Sequence, residues 1–348
     1  MDTEVMILDL SERKQRILSS VVTSFITKGE PVGSKSIAEE IGVSSATIRN
    51  EMADLIALGL LEQPHTSAGR LPSQKGIRAY LDDLAQEEEL TGSEKKFFDS
   101  HLLMSAYDSE KLLKCVSRLL PLYTKYAAVV TTPNGEKATI RAVQFVQISR
   151  RAAMLVLMGS SGTMKSRIFH CEFDLSSEII RVLFRLFNKK LIGMCISDIT
   201  IPFVQTFGAS LGELSILASP ALFALLEAAE EAKVSQVIVT GQMNLIYYPE
   251  LDYGDVRGII AFLDRKDGLE PLLCQKPNRV TVLVGNESGV HALAACSLVV
   301  ARYRIDEVDS GGFAVLGPVR MDYAKLISVM RYLSAQVSTL LTALISEQ

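Results

Sequence analysis

The chain is poor in the residues from which metal, thiol and nucleophile chemistry is built. Its 348 residues include only four histidines and five cysteines. Cys115, Cys171, Cys195, Cys274 and Cys296 are scattered, odd in number and form no Cys-x-x-Cys pair. That excludes a disulfide framework and points to reduced thiols in a cytoplasm. His170 and Cys171 are sequence neighbours, and neighbours on a strand project to opposite faces, so no metal site is expected. Gly285-Asn-Glu-Ser-Gly289 and Gly159-Ser-Ser-Gly162 lack both the Gly-Lys-Ser/Thr ending and the strand–helix context of a phosphate loop. With the histidines far apart, no catalytic constellation emerges. Neither enzyme activity nor a cofactor is expected.

Long apolar runs and an excess of positive charge are also missing. No apolar run approaches the 18 or more residues that suggest a bilayer span, so no membrane partner is expected. Residues 1–15 carry Asp2, Glu4 and Asp9 and no cationic lead into an apolar segment, which argues against a signal peptide. A net charge of −4 means the whole molecule should not coat nucleic acid indiscriminately. What the chain does have is apolar content of 48% and a mean hydropathy of +0.23. These exclude disorder and favour a sizeable subunit interface. The length suggests two or three domains.

The most informative segment runs from Ser34 to Pro72. Ile37, Ala38 and Ile41 form one face of a short helix, with Ser34 or Ser36 as its cap and Gly42 as its stop. Val43 plugs a tight turn, and Ser44 or Ser45 caps a second helix. At 100° per residue, Ile48, Met52, Leu55, Ile56 and Gly59 cluster inward. Ala46, Asn50, Ala53 and Ala57 point outward, flanked by Thr47 and Arg49. Two helices joined so tightly cross steeply, which lets the second enter a DNA major groove. Arg suits guanine, Asn suits adenine, and Ala or Thr methyls suit the thymine methyl. Ala46 to Ala53 spans about 10 Å of axis, enough for a few base pairs.

A wing follows directly. Leu60-Leu61-Glu62 and Arg70-Leu71 read as its strands, and Gly69 as its bend. From His65 to Tyr80 the cations are Arg70, Lys75 and Arg78, with no acidic residue, although residues 1–80 hold nine Lys/Arg against ten Asp/Glu. Positive charge is therefore concentrated where one face would meet phosphate. Ser73 caps a helix whose first turn, Gln74 and Lys75, forms a phosphate clamp. Ahead of the pair, Ser11 caps a helix with the stripe Ile17, Val21, Val22 and Phe25, ended by Gly29 and Pro31. Together these make a winged helix-turn-helix domain over residues 1–85. Its candidate DNA-binding residues are Ser45, Ala46, Thr47, Arg49, Asn50, His65, Thr66, Arg70, Gln74, Lys75 and Arg78.

Four blocks here resemble one known family. They are Ser11-Glu-Arg-Lys-Gln-Arg-Ile-Leu18, Pro31-Val-Gly-Ser-Lys35, Ser45-Ala-Thr-Ile-Arg-Asn-Glu-Met52 and Leu58-Gly-Leu-Leu-Glu-Gln-Pro-His-Thr-Ser-Ala-Gly-Arg-Leu-Pro-Ser73. At the far end, Cys296-Ser-Leu-Val299 and Gly311-Gly-Phe-Ala-Val-Leu-Gly-Pro-Val-Arg-Met-Asp-Tyr-Ala-Lys325 agree. The chain resembles the heat-inducible transcription repressor HrcA family at both ends. The resemblance implies a winged helix, a GAF-like domain and a dimerising domain inserted within it. It implies a repressor of heat-shock chaperone operons, released on heat stress. As a homodimer it would bind double-stranded DNA at an inverted repeat of the CIRCE type, with the GroE chaperonin as a second partner. It also implies a cytoplasmic bacterial protein, held on the nucleoid at its operator. An alternative is a regulator whose GAF-like domain senses a small ligand, and another uses the helix-turn-helix for protein contacts.

The rest of the chain reads as an α+β multidomain fold. Asp82 to Ser93 is an acidic, solvated linker. Lys111 to Leu122 is helical. Strands are expected at Ala127–Thr132, Ile140–Ser149, Met154–Gly159 and Lys165–Phe173, with hairpin turns at Pro133-Asn-Gly135 and Ser160-Ser-Gly162. Strands return at Arg279–Gly285, Ala294–Arg304 and Gly312–Gly317, before a helix from Tyr323. This places a GAF-like, antiparallel-sheet domain in two segments, 105–173 and 276–345. Residues 174–275 form the insert, whose stripe Ile179, Ile180, Leu183, Phe184 and Phe187 and Ala/Leu-rich stretch Leu211–Lys233 are helical. Val237–Val239 and Ile259–Leu263 are expected strands within it.

Overall fold

A computed structural model describes residues 10–65, 68–84, 88–133, 135–136, 138–266, 268–274, 279–306 and 308–346. Helix α1 spans Glu12–Lys28. The Ser11 hydroxyl accepts from the Lys14 N–H, and Gly29 ends the helix in the left-handed conformation. Its buried side, Ile17, Leu18, Val21 and Val22, meets Ile37 of α2 (Ser34–Ile41) and Ile48, Met52 and Leu55 of α3 (Ser45–Ala57). Neither Ser34 nor Ser36 caps α2. The helix begins at Ser34, so both lie in its first turn and Gly33 takes the cap position without a side-chain bond. Ser36 Oγ donates to the Gly33 carbonyl at 2.9 Å, and Ser34 Oγ pairs with Ser45 Oγ at 3.0 Å. Ser44 caps α3 by accepting from the Thr47 N–H at 3.1 Å.

The wing strands are β1 (Leu61–Glu62) and β2 (Leu71–Pro72), with an added bridge between Val32 and Arg70. Gly69 does not supply a left-handed bend. It is required because a Cβ there would sit 2.6 Å from the Val32 carbonyl oxygen, where the bridge brings the backbones together. Ser73 caps α4 (Gln74–Ala79), accepting from the Gly76 N–H and donating to the Gly59 carbonyl.

The main domain is one five-stranded antiparallel sheet. Its strands are β3 (Ala127–Thr131), β7 (Val237–Thr240), β8 (Val280–Val284), β9 (Cys296–Ile305) and β10 (Val308–Pro318), in the order β7-β3-β10-β9-β8. On one face Val130, Val299, Tyr303 and Phe313 pack against α5 (Gly92–Leu103), α6 (Ser109–Thr124) and α12 (Tyr323–Ser346). On the other, Val129, Leu298 and Ala314 meet α10 (Tyr253–Arg265) and α11 (Leu269–Cys274). This is the expected α+β, GAF-like arrangement, with helices covering both faces.

The insert has different boundaries from those expected. Strands β4 (Ile140–Gln147), β5 (Ala152–Gly159) and β6 (Met164–His170) do not join the main sheet; they form their own, ordered β4-β5-β6. Their inward residues Val143, Leu155, Leu157 and Phe169 share a core with α7 (Ser177–Leu191), α8 (Ile201–Ser210) and α9 (Ser215–Lys233). The inserted unit therefore occupies about 138–232, and the second main-domain segment begins at β7, near 237. Asn134 of the expected Pro133–Gly135 turn lies outside the described residues, and the strands it would join, β3 and β4, do not pair. Sequential strands usually neighbour one another, and that expectation fails where the chain leaves the main sheet after β3 and where it returns at β7.

Two further differences have local causes. Ile259 and Leu263 are not on a strand but are buried one turn apart on α10, which a reciprocal Asp252/Asp255 capping box starts. The acidic linker contains the start of α5, where Thr91 and Glu94 form a second capping box. Gly212–Lys233 also has the length and composition of a membrane span, contrary to expectation. Its Ala221, Leu225, Ala228 and Ala232 are nevertheless buried in the core of the insert.

Glu94 joins the linker to the main domain. The Tyr123 hydroxyl, then the Lys325 ammonium and the Thr91 N–H, hold its carboxyl down at about 2. A folded-state value below the unfolded one makes this contribution full above the ordinary carboxylate range and lost as pH falls through it. Glu94→Gln should therefore lower the thermal midpoint at pH 7. The gap from the unaltered protein should close between about pH 4.5 and pH 2. Equal midpoints at pH 7 would show that these bonds add no net stability.

Candidate nucleic-acid interface

Helix α3 presents the outward face anticipated for a reading helix. Ala46, Arg49, Asn50, Ala53 and Ala57 are exposed, while Ile48, Met52 and Leu55 are buried. The side chains of Arg49 and Asn50 hydrogen-bond to no described residue, so both retain full capacity for base edges. Ser45 and Thr47 are more constrained. Ser45 Oγ holds the α2–α3 turn through Ser34, and Thr47 Oγ1 lies 2.8 Å from Ser44 Oγ. Their hydroxyls serve the turn, leaving the Thr47 methyl as the apolar contact.

At the wing, His65 is exposed and its carbonyl accepts from the Ala68 N–H at 2.9 Å. Thr66 lies outside the described residues. Arg70 folds back over the turn, its Nη1 donating to the Ala68 carbonyl at 3.0 Å. Its buried Nε has no hydrogen-bond partner among described atoms. Lys75 is exposed and reaches the Leu58 carbonyl at the end of α3 (3.3 Å). It therefore stands beside the reading helix.

Gln74 and Arg78 are placed differently from the clamp expected of them. Gln74 Nε2 donates to the Ala294 carbonyl at 3.0 Å, and its Oε1 accepts from the Asn286 N–H at 3.3 Å. Arg78 donates to the Glu287 carboxylate through Nε and Nη2, to the Val282 carbonyl at 2.6 Å, and through Nη1 to Asp82 at 3.3 Å. Both side chains are spent on the main domain and neither is open to phosphate. Helix periodicity could not reveal this, because it reports which residues share a face and not what lies opposite.

The family model for the winged helix-turn-helix DNA-binding domain of the HrcA repressor matches residues 9–81, and the model for the HrcA C-terminal domain matches 110–327. The chain belongs to the HrcA family of heat-inducible transcription repressors. A relative named heat-inducible transcription repressor HrcA from Acetivibrio thermocellus is 33% identical over 94% of this chain and 95% of its own length. Another from Moorella thermoacetica is 33% identical over 96% and 99%. A crystal structure of a hypothetical protein matches with 25% identity and a TM-score of 0.66, covering 97% of this chain and 100% of that one. The exposed face of α3 thus sits within a fold that this HrcA-family chain shares with its relatives along nearly its whole length.

Two other chemistries find little support in this HrcA-family structure. Gly208-Ala-Ser-Leu-Gly212 spells the nucleophile pattern Gly-x-Ser-x-Gly. It ends α8 rather than joining a strand to a helix, and Ser210 Oγ donates to the Phe207 carbonyl at 2.6 Å. For a small-ligand sensor, apolar side chains fill the faces of the main sheet beneath its helices, and the clefts lie at its rim: one of about 680 Å³ along the edge strand β7, and one of about 400 Å³ where α6 meets the insert sheet. Its Arg141 pairs with Asp306 and its Lys165 with Glu231.

Asn50→Ala should weaken operator binding by about 1–3 kcal/mol and binding to random DNA far less. Equal losses in a paired titration would remove Asn50 from base reading. Lys75→Gln should lower the slope of log affinity against log salt by about one, whereas an unchanged slope would take Lys75 off the phosphate.

Proposed function

We propose that this protein represses chaperone operons by binding an inverted-repeat operator of the CIRCE type as a two-fold dimer, and that heat stress releases it. The observation carrying this reading is the uncovered α3 face, with Arg49 and Asn50 free beside the wing, in a chain of the HrcA family. One reading helix covers too few base pairs for a unique genomic site. Two copies related by a dyad read an inverted repeat with half-sites separated by whole helical turns.

The insert is the proposed dimer contact. Its helical side exposes Ile216 (77%) and Phe223 (64%). A groove between α7 and the start of α9 is lined by Ile179, Val182, Leu183, Leu186, Leu214 and Leu217. Apolar surface of this kind is what a subunit interface removes from water. Being distant in sequence from α3, such a contact lets heat act on the population of competent dimers without altering base reading. A GroE-type chaperonin would restore that population by refolding chains that had opened. The working location would be the bacterial cytoplasm, at the operator on the nucleoid.

Base-resolution protection of a chaperone-operon promoter should show two symmetric half-sites. Adding five base pairs between them rotates one by about half a turn and should weaken binding sharply. Ile216→Glu with Phe223→Glu should give a monomer with much lower operator affinity. A monomer that binds the operator as tightly as the unaltered protein would overturn the dimeric reading.

A further inference from the structure

We infer that Gln74, Arg78 and Arg320 are positioning residues that fix how the winged helix sits on the main domain, and thereby determine which half-site spacing the repressor accepts. This rests on the dimeric reading above. Two anchors lie one turn apart on α4. Gln74 closes on the turn after β8, bonding to Asn286 and Ala294. Gly285 in that turn has φ +54°, and a Cβ there would overlap the Gln74 amide. Arg78 grips Glu287, whose carboxylate also accepts from the Val284 N–H at 2.8 Å and so cannot swing freely. The third anchor runs the other way. Arg320 of the main domain, held by Glu250, donates to the Ile26 carbonyl at 3.0 Å, near the end of α1, and lies against Gly29.

Three points not on one line fix the orientation of a rigid body. Apolar packing adds to them. Ile77 of α4 is buried in the core of the main domain, and Ile26 and Leu81 pack against both that core and the winged-helix core. The anchors all lie away from the reading face. With every anchor made, Ala46, Arg49, Asn50 and Ala53 remain exposed, so the dock orients α3 without covering it. A winged helix tethered only by a flexible segment would sample many orientations and tolerate many spacings. A docked one places the two reading helices of a dimer at a set distance and angle. Gln74 and Arg78 then contribute to specificity although neither touches DNA.

The test uses the full-length protein and three variants: Gln74→Ala with Arg78→Met, Glu287→Gln alone, and the swap Arg78→Glu with Glu287→Arg. Each is titrated with DNA carrying one half-site and with inverted repeats whose spacing increases by single base pairs. The double variant should keep single-half-site affinity within about twofold and lose about tenfold or more at the preferred spacing. Its discrimination against a five-base-pair offset should flatten. Glu287→Gln should show the same change in smaller measure, and the swap should recover discrimination. Thermal melts confirm that each variant folds, and a variant that does not fold is replaced in the comparison by Glu287→Gln. Sharp discrimination retained in both the double variant and Glu287→Gln would overturn the inference. So would a gain of affinity at the preferred spacing, which would mark the dock as a restraint that holds the reading helix off its operator. An unaltered protein that bound every spacing alike would instead overturn the dimeric reading.

Discussion

The whole architecture depends on the ladder that β7 makes with β3. The chain leaves the main sheet after Thr131 and returns to the same place more than a hundred residues later, pairing Thr131 with Val237. The exit is tightly held. Thr131 Oγ1 donates to the Gly312 carbonyl and accepts from the Gly312 N–H at 2.9 Å, and Tyr303 Oη donates to the Thr131 carbonyl at 2.7 Å. One step further, Thr132 and Gln236 exchange bonds through backbone and hydroxyl. A buried polar cluster of this kind is stable only if every member is satisfied. Because both ends of the insert are fixed at adjacent strand ends, the insert can build its own sheet and core without disturbing the main one.

The other end of the main sheet holds the winged helix, and by different forces. There the contacts are largely polar: an arginine fork on Glu287, an amide on a backbone turn, and a second arginine on a helix carbonyl. Half-exposed ion pairs of this sort add little to stability, but they have direction. They suit a junction that must hold an angle more than they suit one that must resist unfolding. The apolar residues at that junction, Ile77, Ile26 and Leu81, provide the adhesion that the charges orient.

Much of this was legible in the linear chain. The helix-turn-helix could be read face by face because its determinants are local. Ser44 and Gly42 bound the turn, Ile48, Met52 and Leu55 repeat at helical spacing, and small residues with Asn50 remain outside. The main strands and the closing helix were placed within a few residues for the same reason. Gln74 and Arg78 lie on the expected helix, but they face the main domain and not DNA.

Which strands share a sheet, and what a charged face meets, were decided by the tertiary structure alone. Strand β4 carries the same alternation whether it pairs with β3 or with β5, since pairing partners leave no mark on the period of a single strand. The insert boundary was therefore misplaced by more than thirty residues. Ile259 and Leu263 satisfy a buried strand as well as a buried helical turn until the Asp252 cap is recognised. Arg78 has the charge to meet a phosphate, and only the fold sets Glu287 opposite it. Local pattern determines which elements form and which way they face. Long-range packing determines what each face finds.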